Sequence, residues 1–149
     1  MDPEIAALYP DLVARVEALL VKITIAFDGV PRPRITISVA EGLDNAWYPS
    51  EARCWELNAQ DPEQVWTDVT DEQIKSNHSY FRFSDDEGWR FYLPAHMSMV
   101  LRDFPYGSYN FVYAACVDKN PCFALLNEAQ MECVQEFVAL VKEAGAHPY

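Results

Sequence analysis

The chain has 149 residues, 50% of them hydrophobic and 13% aromatic, and a formal net charge of −12. A domain of this size can bury about 68–70% of its unfolded surface, so a stable core requires neither disulfide nor metal. Charge of this sign excludes direct binding to nucleic-acid phosphates and disfavours anionic membrane surfaces.

The N-terminal Met1-Asp2-Pro3-Glu4 is acidic, where a secretory leader needs a basic start before its apolar run. The expected location is therefore the cytoplasm, with Cys54, Cys116, Cys122 and Cys133 as reduced thiols. Leu12, Val16, Leu19, Leu20, Ile23 and Phe27 then recur at helical spacing and predict a helix over 11–28. Asp28-Gly29, with Pro31 and Pro33 beyond, ends it. Arg15, Glu17 and Lys22 interrupt the apolar run, so it does not span a membrane.

Residues 34–39 alternate apolar and polar and are rich in β-branched side chains, a strand signal. Tyr109–Ala115 is the best pairing candidate, and a short helix over 33–42 competes with it. Ser50–Leu57 reads as two helical turns, and Pro62–Trp66 as the start of another with proline in its first turn. Thr70 with Gln73 forms a capping box that opens a helix through Lys75.

Ser84 with Glu87 forms a second box, and Asp85, Asp86 and Glu87 place negative charge at a helix N-terminus. Apolar residues continue to Leu101, yet Pro94 lies inside the run. An interior proline deletes a backbone hydrogen bond and costs about 3 kcal/mol. Only tight packing offsets that, so the segment is expected to be a proline-kinked helix at the centre of the fold, with Leu93 and Met97 buried. Phe104-Pro105-Tyr106-Gly107 is a break. Asn127 with Gln130 makes a third box, opening a final helix with Met131, Val134, Val138 and Val141 in one row, widened by Phe137 and Leu140. Gly145 is its expected stop.

The stretch Trp89-Arg90-Phe91-Tyr92-Leu93-Pro94-Ala95-His96-Met97 resembles the signature of an uncharacterised bacterial domain family, whose members carry a run like Phe-Arg-Phe-Tyr-Leu-Pro-Ala-x-Met before a helical stretch. The resemblance extends from Ile25-Ala26-Phe27 through the final helix and is weaker over Phe123–Val138. It implies a compact bacterial domain and carries no activity with it.

Sites that could carry chemistry are few. Trp89, Tyr92 and His96 fall near one helix face, where they would line a ligand pocket beside Pro94 or hydrogen-bond across a core. Cys116 and Cys122 are too widely spaced for a zinc site, and His78 and His147 share no ligand spacing with them, so neither metal nor cofactor is expected. No nucleophile elbow or phosphate loop is present.

The acidic stretch is a stronger lead. Residues 41–72 hold nine acids (Glu41, Asp44, Glu51, Glu56, Asp61, Glu63, Asp68, Asp71, Glu72) and one base, Arg53. Trp47, Tyr48, Trp55 and Trp66 are interleaved with them. Either this is a solvated shell with the aromatics turned inward, or it is an interface of aromatic anchors ringed by charge. On the second view Trp47, Trp55, Glu56, Asp61, Glu63 and Trp66 bind the partner.

The expectation is a mainly α protein, a single compact helical domain over 1–149, with a minor two-stranded β element or an α+β fold as variants. The leading functional expectation is a small acidic cytoplasmic protein that docks a basic protein partner, an immunity or antitoxin protein being one form. A ligand-binding protein or enzyme with its pocket at Trp89, Tyr92 and His96 is the alternative, and a structural homo-oligomer subunit is a third.

Overall fold

A computed structural model describes residues 3–45, 49–104 and 110–145. The protein is mainly α, and among the described residues there is no strand. The helices are α1 (Pro3–Leu8), α2 (Pro10–Ala26), α3 (Ile37–Asn45), α4 (Glu51–Gln60), α5 (Asp71–Lys75), α6 (Asp86–Arg102), α7 (Asn110–Cys116) and α8 (Glu128–Gly145). The two-stranded element is thereby corrected. The Pro31–Pro33 break is followed by helix from Ile37, and the proposed partner segment is helical from Asn110. Tyr109 lies outside the described residues. Alternation over six residues cannot override a helix whose N-terminus is capped from elsewhere in the chain.

The chain forms two compact units, one of Met1–Asp28, His96–Pro121 and Leu126–Tyr149, the other of Gly29–Ala95 and Cys122–Leu125. In the first unit α2 packs along α8. Pro10 opens α2 in its first turn, and Phe27 closes it ahead of Gly29, whose φ of 73° is the left-handed conformation glycine adopts freely. Val16, Leu19, Ile23 and Phe27 are buried on one side of this chain segment. The capping box of α8 forms as expected: Gln130 N donates to Asn127 Oδ1 at 2.8 Å and Asn127 N to Gln130 Oε1 at 2.9 Å. The same Gln130 amide also donates to the Ala26 carbonyl at 3.0 Å, so the cap of α8 satisfies the exposed end of α2. The deepest residues of α8 are Cys133, Val134, Phe137 and Leu140. Met131, Val138 and Val141 flank that stripe rather than centre it.

In the second unit α3 and α4 are in close contact. A Cβ on Gly42 would stand 2.7 Å from a Leu57 methyl, so α3 approaches α4 where it carries no side chain. Ser50 caps α4, accepting from Arg53 N at 3.1 Å. The Thr70–Gln73 box opens α5 as expected. Pro62, by contrast, does not start a helix, and only Trp66–Asp68 coils there, as a 3-10 turn. Asp68 closes this turn by accepting from the Gln64 and Val65 amides at 3.2 and 3.3 Å.

Pro94 lies inside α6, with Leu93 and Met97 fully buried around it. The cap of this helix differs from expectation. Asp85, not Ser84, accepts from the Gly88 amide, at 2.9 Å. Ser84 instead donates to the Tyr80 hydroxyl at 2.8 Å. Its hydroxyl serves a buried partner, and the adjacent carboxylate, which suits the helix dipole better, takes the cap.

Candidate functional site

Two regions compete as functional sites, and both lie within the second unit. The first is internal. Tyr92, on α6, has no exposure and donates to Glu63 Oε1 at 2.6 Å, while the Ile37 amide approaches its oxygen at 3.4 Å. Gln73 Nε2 donates to the other Glu63 oxygen at 3.1 Å. Burial, then the bond to Glu63, holds the Tyr92 phenol far above its ordinary range, so it remains a donor. Asp61 accepts from Ser38 N at 2.8 Å and from Ser38 Oγ at 2.6 Å, which makes it the cap of α3. Thr36 sits where a cap is expected, yet its buried hydroxyl has no hydrogen-bond partner among the described residues.

Arg32 ties this loop together. It donates to the carbonyls of Glu63 at 2.7 Å, Asn58 at 2.9 Å and Asp61 at 2.8 Å, and also to the Asn58 side-chain oxygen. Asn58 in turn donates to the carbonyls of Pro33 and Arg34 at 3.2 and 2.7 Å. Apart from the Thr36 hydroxyl, the cluster is a set of buried and half-buried groups that satisfy one another. Its donors and acceptors are consumed by one another, leaving little to offer a substrate.

Asp61 and Glu63 are therefore corrected as partner-facing residues. They are 8% and 1% exposed, and their carboxylates serve an α-helix cap and a buried tyrosine. Trp66, 7% exposed, is likewise a core residue. Trp47 lies outside the described residues. Sequence reasoning missed Arg32, Asn58 and Tyr80, because the groups they satisfy are backbone carbonyls that become neighbours only on folding. The one local hint is an arginine held between Pro31 and Pro33.

Trp89, Tyr92 and His96 are all buried. Trp89 donates its indole N–H to the Phe81 carbonyl at 3.0 Å and packs against Phe81 and Phe123. The His96 ring meets Phe111 edge-on at 6.0 Å. None of the three lines either of two clefts that the surface does carry. One, of about 160 Å³, involves Ile37, Glu41, Asp44, Asn77 and Tyr80, and the other, of about 300 Å³, involves Leu8, Tyr9, Leu12, Arg15 and Glu143.

The second region is the outer face of α4. Trp55 is 51% exposed there, with Glu51, Ala52, Glu56 and Ala59 exposed around it. Glu56 pairs with Arg53 at 3.1 Å on the surface. Of the nine acids in 41–72, Glu41, Asp44, Glu51, Glu56, Asp68 and Glu72 are exposed, so this unit keeps a strongly negative surface even with two carboxylates buried.

Among the described residues no disulfide joins the cysteines, and no group of three or more His, Cys, Asp or Glu could hold a metal ion. Burial pushes the Cys116 thiol up to about 12, far from a reactive thiolate. No helix among the described residues is long and apolar enough to cross a membrane.

Fold and site together define a mainly α protein with a polar-braced unit and an acidic outer face. Residues 15–147 match the family of unknown function DUF6714, and the chain belongs to that family. No curated protein and no solved structure matches the chain.

Proposed function

We propose that this chain is a small acidic binding protein that docks a basic protein partner through the outer face of α4. The observation that carries the reading is Trp55, half exposed between Glu51 and Glu56. A large aromatic left in water is poorly placed for stability and well placed as an anchor. Exposed acids around it raise the rate at which a basic partner arrives. Glu41 and Asp44 line the 160 Å³ cleft on α3, adding acceptors within the same unit. That cleft is smaller than the roughly 300–1,000 Å³ typical of small-molecule sites. Size and charge suit an immunity or antitoxin protein that neutralises a basic toxin in a bacterial cytoplasm.

The test begins with a native pull-down at low and high salt to recover a stoichiometric basic partner. Binding of that partner is then measured to purified variants. Trp55→Ala is expected to weaken binding at least tenfold, mainly through dissociation, because an anchor is lost. Glu51→Lys with Glu56→Lys is expected to slow association most at low salt. Unchanged kinetics in both variants would remove the α4 face as the docking site.

A further inference from the structure

We infer that α2 carries a second, outward-facing seam through which two copies of this chain associate in parallel. The helix is apolar on two opposite sides. Val16, Leu19 and Ile23 face the core and are at most 4% exposed. Ala14, Ala18, Val21 and Ile25 are all exposed, Val21 at 58% and Ile25 at 71%. At 3.6 residues per turn these four fall within about 60° of arc. Their spacing of four, three and four is that of the a and d positions of a heptad, the pattern by which two helices interlock.

The flanks specify the occupant and its direction. Glu17 lies on one side of the seam and Lys22 on the other, five residues later, and both are exposed. In a parallel pair, that spacing brings Glu17 of each copy against Lys22 of the other, so two-fold symmetry makes the contact twice. In an antiparallel pair Glu17 has no cation opposite it, and the Arg15–Lys22 side, already paired with Glu143 and Glu136, meets its own copy with nothing gained. Charge therefore favours the parallel arrangement. Lys22 already bonds Glu136 at 2.7 Å, but its side chain is 58% exposed and an ammonium group has further donors for a second carboxylate. Asp11 holds the heptad position before Ala14 and α2 ends at Ala26, which limits the seam to Ala14–Ile25, about 18 Å of helix. A contact that short falls below the roughly 1,000 Å² of a stable interface. The expected dimer is weak and reversible, with a Kd on the order of 100 µM.

Sedimentation equilibrium between about 10 µM and about 1 mM, in about 0.3 M salt to screen the net charge, reads this directly. The native chain should pass from monomer to dimer across that range, and a monomer throughout overturns the inference. Val21→Glu, at an exposed position that leaves the circular dichroism spectrum unchanged, should weaken association at least tenfold, and an unaltered Kd overturns the seam. Glu17→Lys and Lys22→Glu variants should each self-associate poorly yet form a mixed dimer when combined, since both contacts are then complementary. Failure of the mixture to associate overturns the charge pairing. Ile25→Cys should cross-link to itself under mild oxidation in a parallel dimer. Its failure to do so, in a sample shown to be dimeric, overturns the orientation. None of these variants touches the α4 face, so the docking proposal stands or falls separately.

Discussion

The two units are held together by different physics. The one containing α2 and α8 is an apolar stripe against an apolar stripe, with its ion pairs, Arg15–Glu143 and Lys22–Glu136, left in water. The one containing α3 and α4 buries Arg32's contacts, Asn58, Asp61, Glu63 and Tyr92 in a connected polar set. Hydrophobic packing tolerates sliding and scales with area, whereas a buried polar network is directional and costly when one member is missing. The first unit should therefore respond to changes in volume, and the second to changes of single atoms.

The largest effect is expected at Phe137, fully buried on α8. Phe137→Ala removes packing and leaves a cavity, a loss of about 3–5 kcal/mol, measurable by urea denaturation. A loss below about 1 kcal/mol would show that the apolar unit rests on something other than its stripe.

In the polar unit, Tyr92→Phe removes one oxygen and leaves a Glu63 oxygen without its 2.6 Å donor. The expected cost is about 1.5–3 kcal/mol, as for a hydrogen bond to a charged group. Adding Glu63→Gln should recover part of it, since the stranded group is then neutral. If Tyr92→Phe is silent, the network is not what braces this unit.

Gly88 sharpens the same contrast. A Cβ there would stand 1.9 Å from Ser84 Oγ and 2.3 Å from Tyr80 Oη, with the Ile35 carbonyl at 3.3 Å. The Tyr80 hydroxyl donates to that carbonyl at 2.6 Å, so the methyl group would have to push a bonded pair apart. Gly88→Ala should cost roughly 1–3 kcal/mol despite its better helix propensity, with thermal melting as the readout.

The apolar unit also makes a pH prediction. Cys116 keeps its proton in the folded state up to about 12, because burial disfavours the thiolate, while an unfolded thiol releases it near 9.0. Above that lower value the unfolded chain binds fewer protons, so stability should fall as pH rises from about 9 toward 12, by up to about 1.4 kcal/mol per unit. Cys116→Ala should flatten this slope. Alkylation of the native protein at pH 8 should reach the partly exposed Cys122 well before Cys116.

The smallest effect is expected at Arg15. Its bond to Glu143 is 2.8 Å, but both side chains are about half exposed. Arg15→Ala should change stability by less than about 1 kcal/mol. A larger loss would mean that the surface ladder along α2 and α8 adds more than exposed pairs usually do.

What the sequence determined by itself is local. The 3.6-residue period announced α2 and α8, the Thr70–Gln73 and Asn127–Gln130 boxes placed two helix starts, and the cost of Pro94 implied the burial of Leu93 and Met97. Each of these is decided by residues within a turn or two of one another, where spacing alone fixes who meets whom. The destination of the acids was decided only by tertiary structure. Asp61 and Glu63 look like Glu51 and Glu56 in a sequence, yet two are buried and two face water. The difference is made by Ser38, Gln73 and Tyr92, which lie 10 to 29 residues away along the chain. The choice of helix over strand at 37–45 has the same origin: the local pattern left both open, and the cap is Asp61, from beyond the next helix. A carboxylate is buried where distant donors converge on it, and that convergence exists only once the chain has folded.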